Sequence, residues 1–155
     1  MPAKPSPAIR SSPLLQSTRR SLPMSLLRAR EVVMAQFRPI LAQHGVSEQQ
    51  WRVLRVLGEQ SPLDATELAE RASILAPSLT RIIKALEERS LITRGKVEGD
   101  GRRVMLSIAP KGQVLISEVS PESSAIYDDV QRRIGHERYE QLLDLLEGLI
   151  DLEKK

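Results

Sequence analysis

Two clusters of basic and hydroxyl-bearing residues near the middle of the sequence could together bind a polyanion. The first cluster follows the spacing of one helix face, and the second flanks a Gly-Asp-Gly segment. Arginine and lysine pair with phosphate, while arginine, serine and threonine also hydrogen-bond the edges of bases. The pattern therefore favours recognition of a nucleic acid over bond-making chemistry. The first cluster is Ser78, Thr80, Arg81 and Lys84, and the second is Arg94, Lys96, Arg102 and Arg103.

The first cluster is expected on the second helix of a helix-turn-helix. Aliphatic residues between positions 79 and 86 follow the i, i+3, i+4, i+7 period, which predicts a helix from Pro77 to about Arg89. Pro77 suits a first helical position, and the free amides of that first turn could meet a phosphate. A shorter helix is predicted before it, from Ala65 to about Ala72, because Asp64 is a good N-cap.

The second cluster is expected on a β-hairpin. Residues 91–97 and 103–108 alternate between apolar and polar, with a wide turn at 99–101 between them. Arginine at a hairpin tip can enter the minor groove beside a helix in the major groove. Asp100 is either an ordinary turn residue or a partner that fixes the turn through Arg102 or Arg103. A solvated polar face would explain the helix alone, but the basic hairpin after it favours a winged helix-turn-helix.

The rest of the chain is predicted to be helical, which gives a mainly α fold with a small β-hairpin wing. Apolar periodicity predicts helices from Leu26 to His44, with a bend at Pro39, and from the N-cap Ser47 to about Glu59. Two more are expected at 111–133 and 136–153. We predict one domain over residues 24–155, in which 46–110 form the winged helix-turn-helix and 24–45 and 111–155 are the flanking helices.

Composition narrows the function further. The 155 residues include no cysteine, which excludes disulfides, thiolate metal sites and a cysteine nucleophile, and fits a cytoplasmic protein. No apolar stretch is long enough to span a membrane. His44 and His136 stand alone, and no nucleophile or phosphate-loop motif is present. We therefore expect no catalytic residue, metal or other cofactor.

Charge is unevenly distributed along the chain. Residues 1–60 carry 9 Lys and Arg against 3 Asp and Glu, whereas residues 113–155 carry 5 against 10. This indicates one anion-facing side, unless the charges cluster by chance on solvated faces.

Residues 1–23 hold five of the ten prolines and no acid, so we expect a disordered basic tail. It is a solvated tail, an arm that touches DNA phosphates, or a segment before a true start at Met24.

The hairpin and the helices beside it resemble the MarR family of regulators. The wing of that family is similar to residues 100–103 (Asp-Gly-Arg-Arg), 104–108 and 109–112 (Ala-Pro-Lys-Gly), and its two motif helices are similar to residues 67–69 and 79–87. Ile108-Ala109 replaces the family's Leu-Thr, and Ser90 stands where the family usually has glycine. The resemblance covers about Leu26 to Leu152 and implies a winged helix-turn-helix regulator of transcription.

Further segments resemble the HpaR branch of this family. These are residues 26–31, 37–40, 48–52 and 74–80. Members of that branch repress the operon for degrading homoprotocatechuate and 4-hydroxyphenylacetate. The resemblance implies a repressor that a small aromatic acid releases from DNA. The alternatives are a MarR-type regulator of another phenolic or drug-response operon and a winged-helix module that binds proteins.

The family resemblance also implies a homodimer, in which residues 24–45 and 111–155 are dimerisation helices. The last helix carries more leucine than one small lobe can bury, although an intramolecular helix pair is an alternative. Two recognition helices would then bind double-stranded DNA at a pseudo-palindromic operator.

An effector pocket between the dimerisation helices and the DNA-binding lobe is implied by the same resemblance. A phenyl acetate needs a guanidinium for its carboxylate and an apolar slot for its ring. Arg38 near Trp51 would supply both, unless the aromatic residues belong to the core and the arginines to the surface. The candidates are Arg28, Met34, Phe37, Arg38, Trp51, Arg52 and Arg55.

Overall fold

The computed structural model describes residues 17–97 and 100–154, and of residues 97 and 100–102 it describes the backbone alone. Residues 1–16 of the expected basic tail lie outside this description. Internal contacts divide the chain between Gln36 and Phe37 into two units, each treated by itself. The elements are α1 (Leu22–Gln43), α2 (Glu48–Glu59), β1 (Leu63–Asp64), α3 (Ala65–Ala72), α4 (Ala76–Glu88), β2 (Ile92–Val97), β3 (Asp100–Ile108), α5 (Pro110–Ile134), α6 (His136–Ile150) and a 3-10 turn (Asp151–Glu153).

The first unit contains the leading part of α1. This helix begins at Leu22, four residues before the position that the apolar pattern predicts. Pro23 is tolerated because it lies in the first turn, where its missing amide costs no hydrogen bond. The apolar side chains of this segment are exposed: Leu22, Met24, Leu26, Leu27 and Val32. No helix in the described part of the chain combines the length and hydropathy that crossing a membrane requires.

In the second unit, local side chains determine where α2 begins. The amide of Gln50 donates to Ser47 Oγ over 3.1 Å, and the amide of Ser47 donates to Gln50 Oε1 over 3.0 Å. This reciprocal capping box confirms the predicted start of α2. At α3 the sequence Asp64-Ala65-Thr66-Glu67 also predicts a capping box, of which the structure shows one half: Asp64 Oδ1 accepts the amide of Glu67 over 2.8 Å.

The predicted inner face of α4 is confirmed. Leu79, Ile82, Ile83 and Leu86 are all at least 92% buried. They join a core that α2, α3 and α5 also supply, with Leu54, Leu68 and Val119 at its centre. This burial leaves the opposite face of α4 in solvent.

A three-stranded antiparallel sheet follows, in the order β1-β3-β2. The hairpin is present, but the wide turn predicted at 99–101 is wrong, because Val97 pairs with Asp100 and β3 already begins there. A register irregularity after Lys96 accommodates the extra residues on β3. The sequence also gave no sign of β1, whose two residues pair with Leu106 and Met105.

The last two helices agree with the prediction except at their ends. α5 starts against the α4–β2 turn so closely that a Cβ on Gly112 would lie 2.2 Å from the carbonyl oxygen of Leu91. Glycine is therefore a packing requirement at this position. α6 ends at Ile150, three residues earlier than predicted, and buries none of its side chains.

Ser90, in the turn after α4, has a backbone conformation that favours glycine. Its φ is +59°, in the left-handed region. This geometry lets the amides of Ser90 and Leu91 donate to the carbonyl oxygens of Glu87 and Leu86. The departure from the family's usual glycine thus preserves the turn at a cost in backbone strain.

Replacing Ser90 by glycine should relieve that strain. We expect Ser90→Gly to raise the free energy of unfolding by about 0.5–1 kcal/mol, after allowance for the greater freedom of the unfolded glycine chain. Chemical denaturation measures this. The matched control is Ser117→Gly within α5, which should lower the free energy by about 0.5 kcal/mol. A Ser90→Gly variant that is destabilised like the control would contradict this account.

Candidate nucleic-acid interface and effector cavity

The outward face of α4 carries the predicted basic cluster. Thr80, Arg81 and Lys84 are exposed, and Ser78 is half-buried. Pro77 is exposed in the first turn, which contains no acidic residue and has no side-chain cap. The helix therefore presents hydroxyl and cationic groups, together with the positive end of its dipole, on one accessible surface.

Two of the predicted wing cations contact carboxylates of the helix-turn-helix. Arg94 of β2 donates from its Nε to Glu87 of α4 over 3.1 Å, and its terminal nitrogen contacts the same oxygen. Arg103 of β3 lies 2.7 Å from Asp64, the N-cap of α3. These pairs attach both strands of the wing to the two motif helices. Their first role is to position the wing.

The other predicted wing residues are placed less fully. Lys96 is exposed on β2. The side chains of Asp100 and Arg102 lie outside the described residues. Among the described residues, Arg103 contacts the carboxylate of Asp64, which precedes it by 39 residues.

Asp64 is both a helix cap and a charge partner, and its ionisation reflects this. The pKa of this carboxyl group is lowered from its ordinary value of 3.8, first by the amide of Glu67 and then by the side chain of Arg103. A carboxyl group whose pKa is lower in the folded state contributes stability above its unfolded pKa. This contribution is lost as the pH falls through the folded pKa.

Asp64→Asn should isolate the charge contribution, because asparagine caps a helix as well as aspartate does. We expect wild type to be more stable than this variant at pH 7, with the difference shrinking below about pH 4. Urea unfolding at several pH values measures it. Glu88→Gln on the exposed surface is the matched control. A difference for Asp64→Asn that stays constant down to pH 2 would refute the contribution of the Asp64 charge.

A small cavity lies between α2 and α5. Its volume is about 190 Å³, and its lining is mixed aromatic, cationic and hydroxylic: Trp51, Arg55, Ser120, Ser123, Ser124 and Tyr127. Phe37 packs against one of the lining residues, since its ring centroid lies 5.0 Å from that of Tyr127. A cavity of roughly 150 Å³ holds a benzene ring. This one therefore has the size and groups for a single-ring acid.

The predicted effector residues divide among different places. Trp51 and Arg55 line the cavity. Arg38 lies 3.6 Å from Glu48, and Arg52 donates to the carbonyl oxygens of Ala72 and Ser73 over 2.9 and 3.0 Å. Neither of these arginines lines it. Arg28 and Met34 belong to the first unit, where they are exposed and half-buried.

Four lining residues of α5 were missed by the sequence analysis. Ser120, Ser123, Ser124 and Tyr127 fall at i, i+3, i+4 and i+7, which is the spacing of one helix face. A polar stripe of this kind, ending in one of the few aromatic residues of the chain, is a signal that could have found them.

Comparison with known proteins identifies the family. A sequence profile described as the MarR family matches residues 46–104, which run from the start of α2 to the middle of β3. A regulator from Neisseria gonorrhoeae, "HTH-type transcriptional regulator FarR", is 42% identical over 89% of this chain and 94% of its own length. The chain belongs to the MarR family. The predicted family and fold class are thereby confirmed.

Three further similar proteins have names that mention an aromatic compound or DNA. The "Homoprotocatechuate degradative operon repressor" of Escherichia coli is 39% identical over 85% of this chain and 89% of its own. "NadR in complex with 4-hydroxyphenylacetate" is 42% identical, covers 87% of this chain and 96% of its own, and superposes with a TM-score of 0.77. "CouR, bound to a 23-mer DNA duplex" is 25% identical, covers 90% and 99%, and has a TM-score of 0.79.

Proposed function

We propose that this MarR-family regulator is a repressor that leaves its operator when a small aromatic acid, of the 4-hydroxyphenylacetate or homoprotocatechuate type, enters the α2–α5 cavity. One observation carries the proposal: the cavity combines a guanidinium, two aromatic rings and serine hydroxyls in a volume suited to one benzene ring. The similarity to a regulator solved with 4-hydroxyphenylacetate supports the same ligand class.

The cavity provides a complementary group for each part of such a ligand. Arg55 would pair with the carboxylate, since a planar guanidinium can donate two parallel hydrogen bonds. Trp51 and Tyr127 would contact the ring. The hydroxyl groups of Ser120, Ser123 and Ser124 would meet the phenolic oxygens. In this proposal Arg38 and Arg52, which do not line the cavity, do not bind the acid directly. Arg55, whose terminal nitrogen lies 3.4 Å from Glu59 Oε1, would leave this exposed pair to bind the carboxylate.

DNA would be bound by the face opposite the core of α4. Thr80, Arg81 and Lys84 would enter the major groove, and Lys96 and Arg102 would enter or border the adjacent minor groove. Arg94 and Arg103 would hold the wing at the angle that this two-groove contact requires. The regulated genes would be those for degrading the effector.

α2 connects the two sites physically. Trp51 and Arg55 of this helix line the cavity, while Arg52 between them donates to the last residues of α3 and the motif turn. A displacement of α2 on ligand binding would therefore pull directly on the turn before α4. The ligand lowers DNA affinity only to the extent that it binds the displaced state more tightly.

We propose a homodimer, which the apolar surface of α6 and of the 3-10 turn after it supports. Leu145, Ile150 and Leu152 are 73%, 63% and 70% exposed, and the apolar residues of α1 are exposed as well. A second copy would bury these side chains and would place two copies of α4 on a pseudo-palindromic operator.

Sedimentation equilibrium should therefore give the mass of two chains at micromolar concentration. Leu145→Glu should shift the protein toward the monomer, because a buried carboxylate without a partner is costly. Glu147→Gln, an exposed polar change on the same helix, is the control. A monomeric wild-type protein would refute the dimer.

The function is tested by titrating the protein against DNA upstream of its own gene, with and without 4-hydroxyphenylacetate and homoprotocatechuate. We expect tight binding that one of these compounds weakens by about five- to 150-fold, the usual range of coupling between two sites. Fluorescence anisotropy of labelled DNA measures this.

Variants at the cavity make the test specific to the proposed residues. Arg55→Gln should retain DNA binding and lose the response to the acid, whereas Arg28→Gln, outside the cavity, should retain both. Retention of the full response in Arg55→Gln would contradict the proposed pocket. Strong binding that neither compound weakens would redirect the search to another aromatic acid, and the absence of DNA binding would refute the regulator.

A further inference from the structure

An apolar tip opens the recognition helix α4. Leu75 is 80% exposed, more than any other large apolar side chain in the described part of the chain. Ala76 and Pro77 after it are exposed as well. Three consecutive apolar residues therefore lie in solvent on the helix whose outward face carries Arg81 and Lys84.

The fold does not account for this leucine. The neighbouring Ile74 and Leu79 are 7% and 2% exposed and already anchor both sides of the turn. Leu75 occupies the N-cap position without making a side-chain cap. Serine, threonine, aspartate or asparagine at an N-cap stabilises a helix relative to an apolar residue. Stability alone would favour a polar residue here.

The surroundings limit what the apolar tip could contact. Leu75 and Ala76 border an open cleft of about 720 Å³ whose lining also includes Glu70, Glu153 and Lys154. Glu70 and Glu153 outnumber Lys154 in this lining, so the cleft offers an anion no net attraction. A partner group at Leu75 should therefore be apolar and uncharged.

We infer that the apolar tip recognises the C5-methyl group of a thymine in the major groove. The N-terminal residues of a recognition helix contact base edges, and the thymine methyl is the one apolar group that those edges present there. Leu75 has the exposure and position for this contact, and the basic residues further along α4 hold the phosphates. The inference rests on the DNA face proposed above and adds a determinant of sequence preference.

The test removes one methyl group at a time from DNA. A duplex of about two helical turns is selected from a random pool by the wild-type protein, and each thymine is replaced in turn by deoxyuridine. Burial of one such carbon group corresponds to a three- to fivefold change in Kd. We expect affinity to fall by this factor when deoxyuridine replaces one particular thymine in each half-site. Leu75→Ala should bind the parent duplex more weakly by a similar factor and show no further loss with deoxyuridine.

Two other variants control for indirect effects. Val114→Ala truncates an exposed aliphatic residue on α5 and should keep the wild-type response. Thr80→Ser removes the methyl group of Thr80, which lies on the proposed DNA face and so can change the affinity itself, but this variant should still lose affinity when deoxyuridine replaces the thymine. Equal melting temperatures for Leu75→Ala and wild type would show that the fold is intact.

The outcomes separate this inference from the proposed function. Two results would overturn the role of Leu75 and leave DNA binding intact. One is a selected duplex whose affinity no deoxyuridine substitution lowers. The other is a Leu75→Ala variant that loses as much affinity on deoxyuridine substitution as wild type does. If Thr80→Ser becomes insensitive to deoxyuridine while Leu75→Ala stays sensitive, the contact belongs to Thr80 and the inference is overturned. Failure to enrich any duplex overturns both.

Discussion

The burial of four aliphatic side chains along one side of α4 fixes where the other groups of that helix can point. Once Leu79, Ile82, Ile83 and Leu86 pack into the core, the residues between them have only solvent to face. The packing also fixes Glu87, whose carboxylate contacts Arg94 of the wing. The orientation of the helix and the attachment of the hairpin thus share one cause.

Short-range signals carried most of what the sequence could predict. Ser47 and Gln50 are three residues apart and cap one another without help from the rest of the chain. The period of α4 is likewise local. β1 has no such signal, because two residues form a strand only when β3 lies beside them. The contact between Asp64 and Arg103 has the same character, since it joins residues 39 positions apart.

Only two of the six residues that line the candidate effector cavity were predicted, for the same reason. Trp51 and Arg55 lie one turn apart on a single helix, whereas the polar stripe of α5 follows them by more than sixty residues. Arg52 shows the limit most clearly. Its guanidinium group suggested a contact with the carboxylate of a ligand, but a helix turns about 100° per residue, so the side chain next to Trp51 extends toward the motif turn.

The internal contacts of Arg94 and Arg103 affect how strongly DNA affinity depends on ionic strength. An arginine already paired with Glu87 or Asp64 releases few of the counterions condensed on DNA when it contacts a phosphate. The slope of log affinity against log salt concentration therefore corresponds to fewer charges than the number of basic residues in the wing. A wing of this kind adds little to indiscriminate attraction for any duplex, so discrimination between operator and bulk chromosome depends more on shape and base contacts than on total charge.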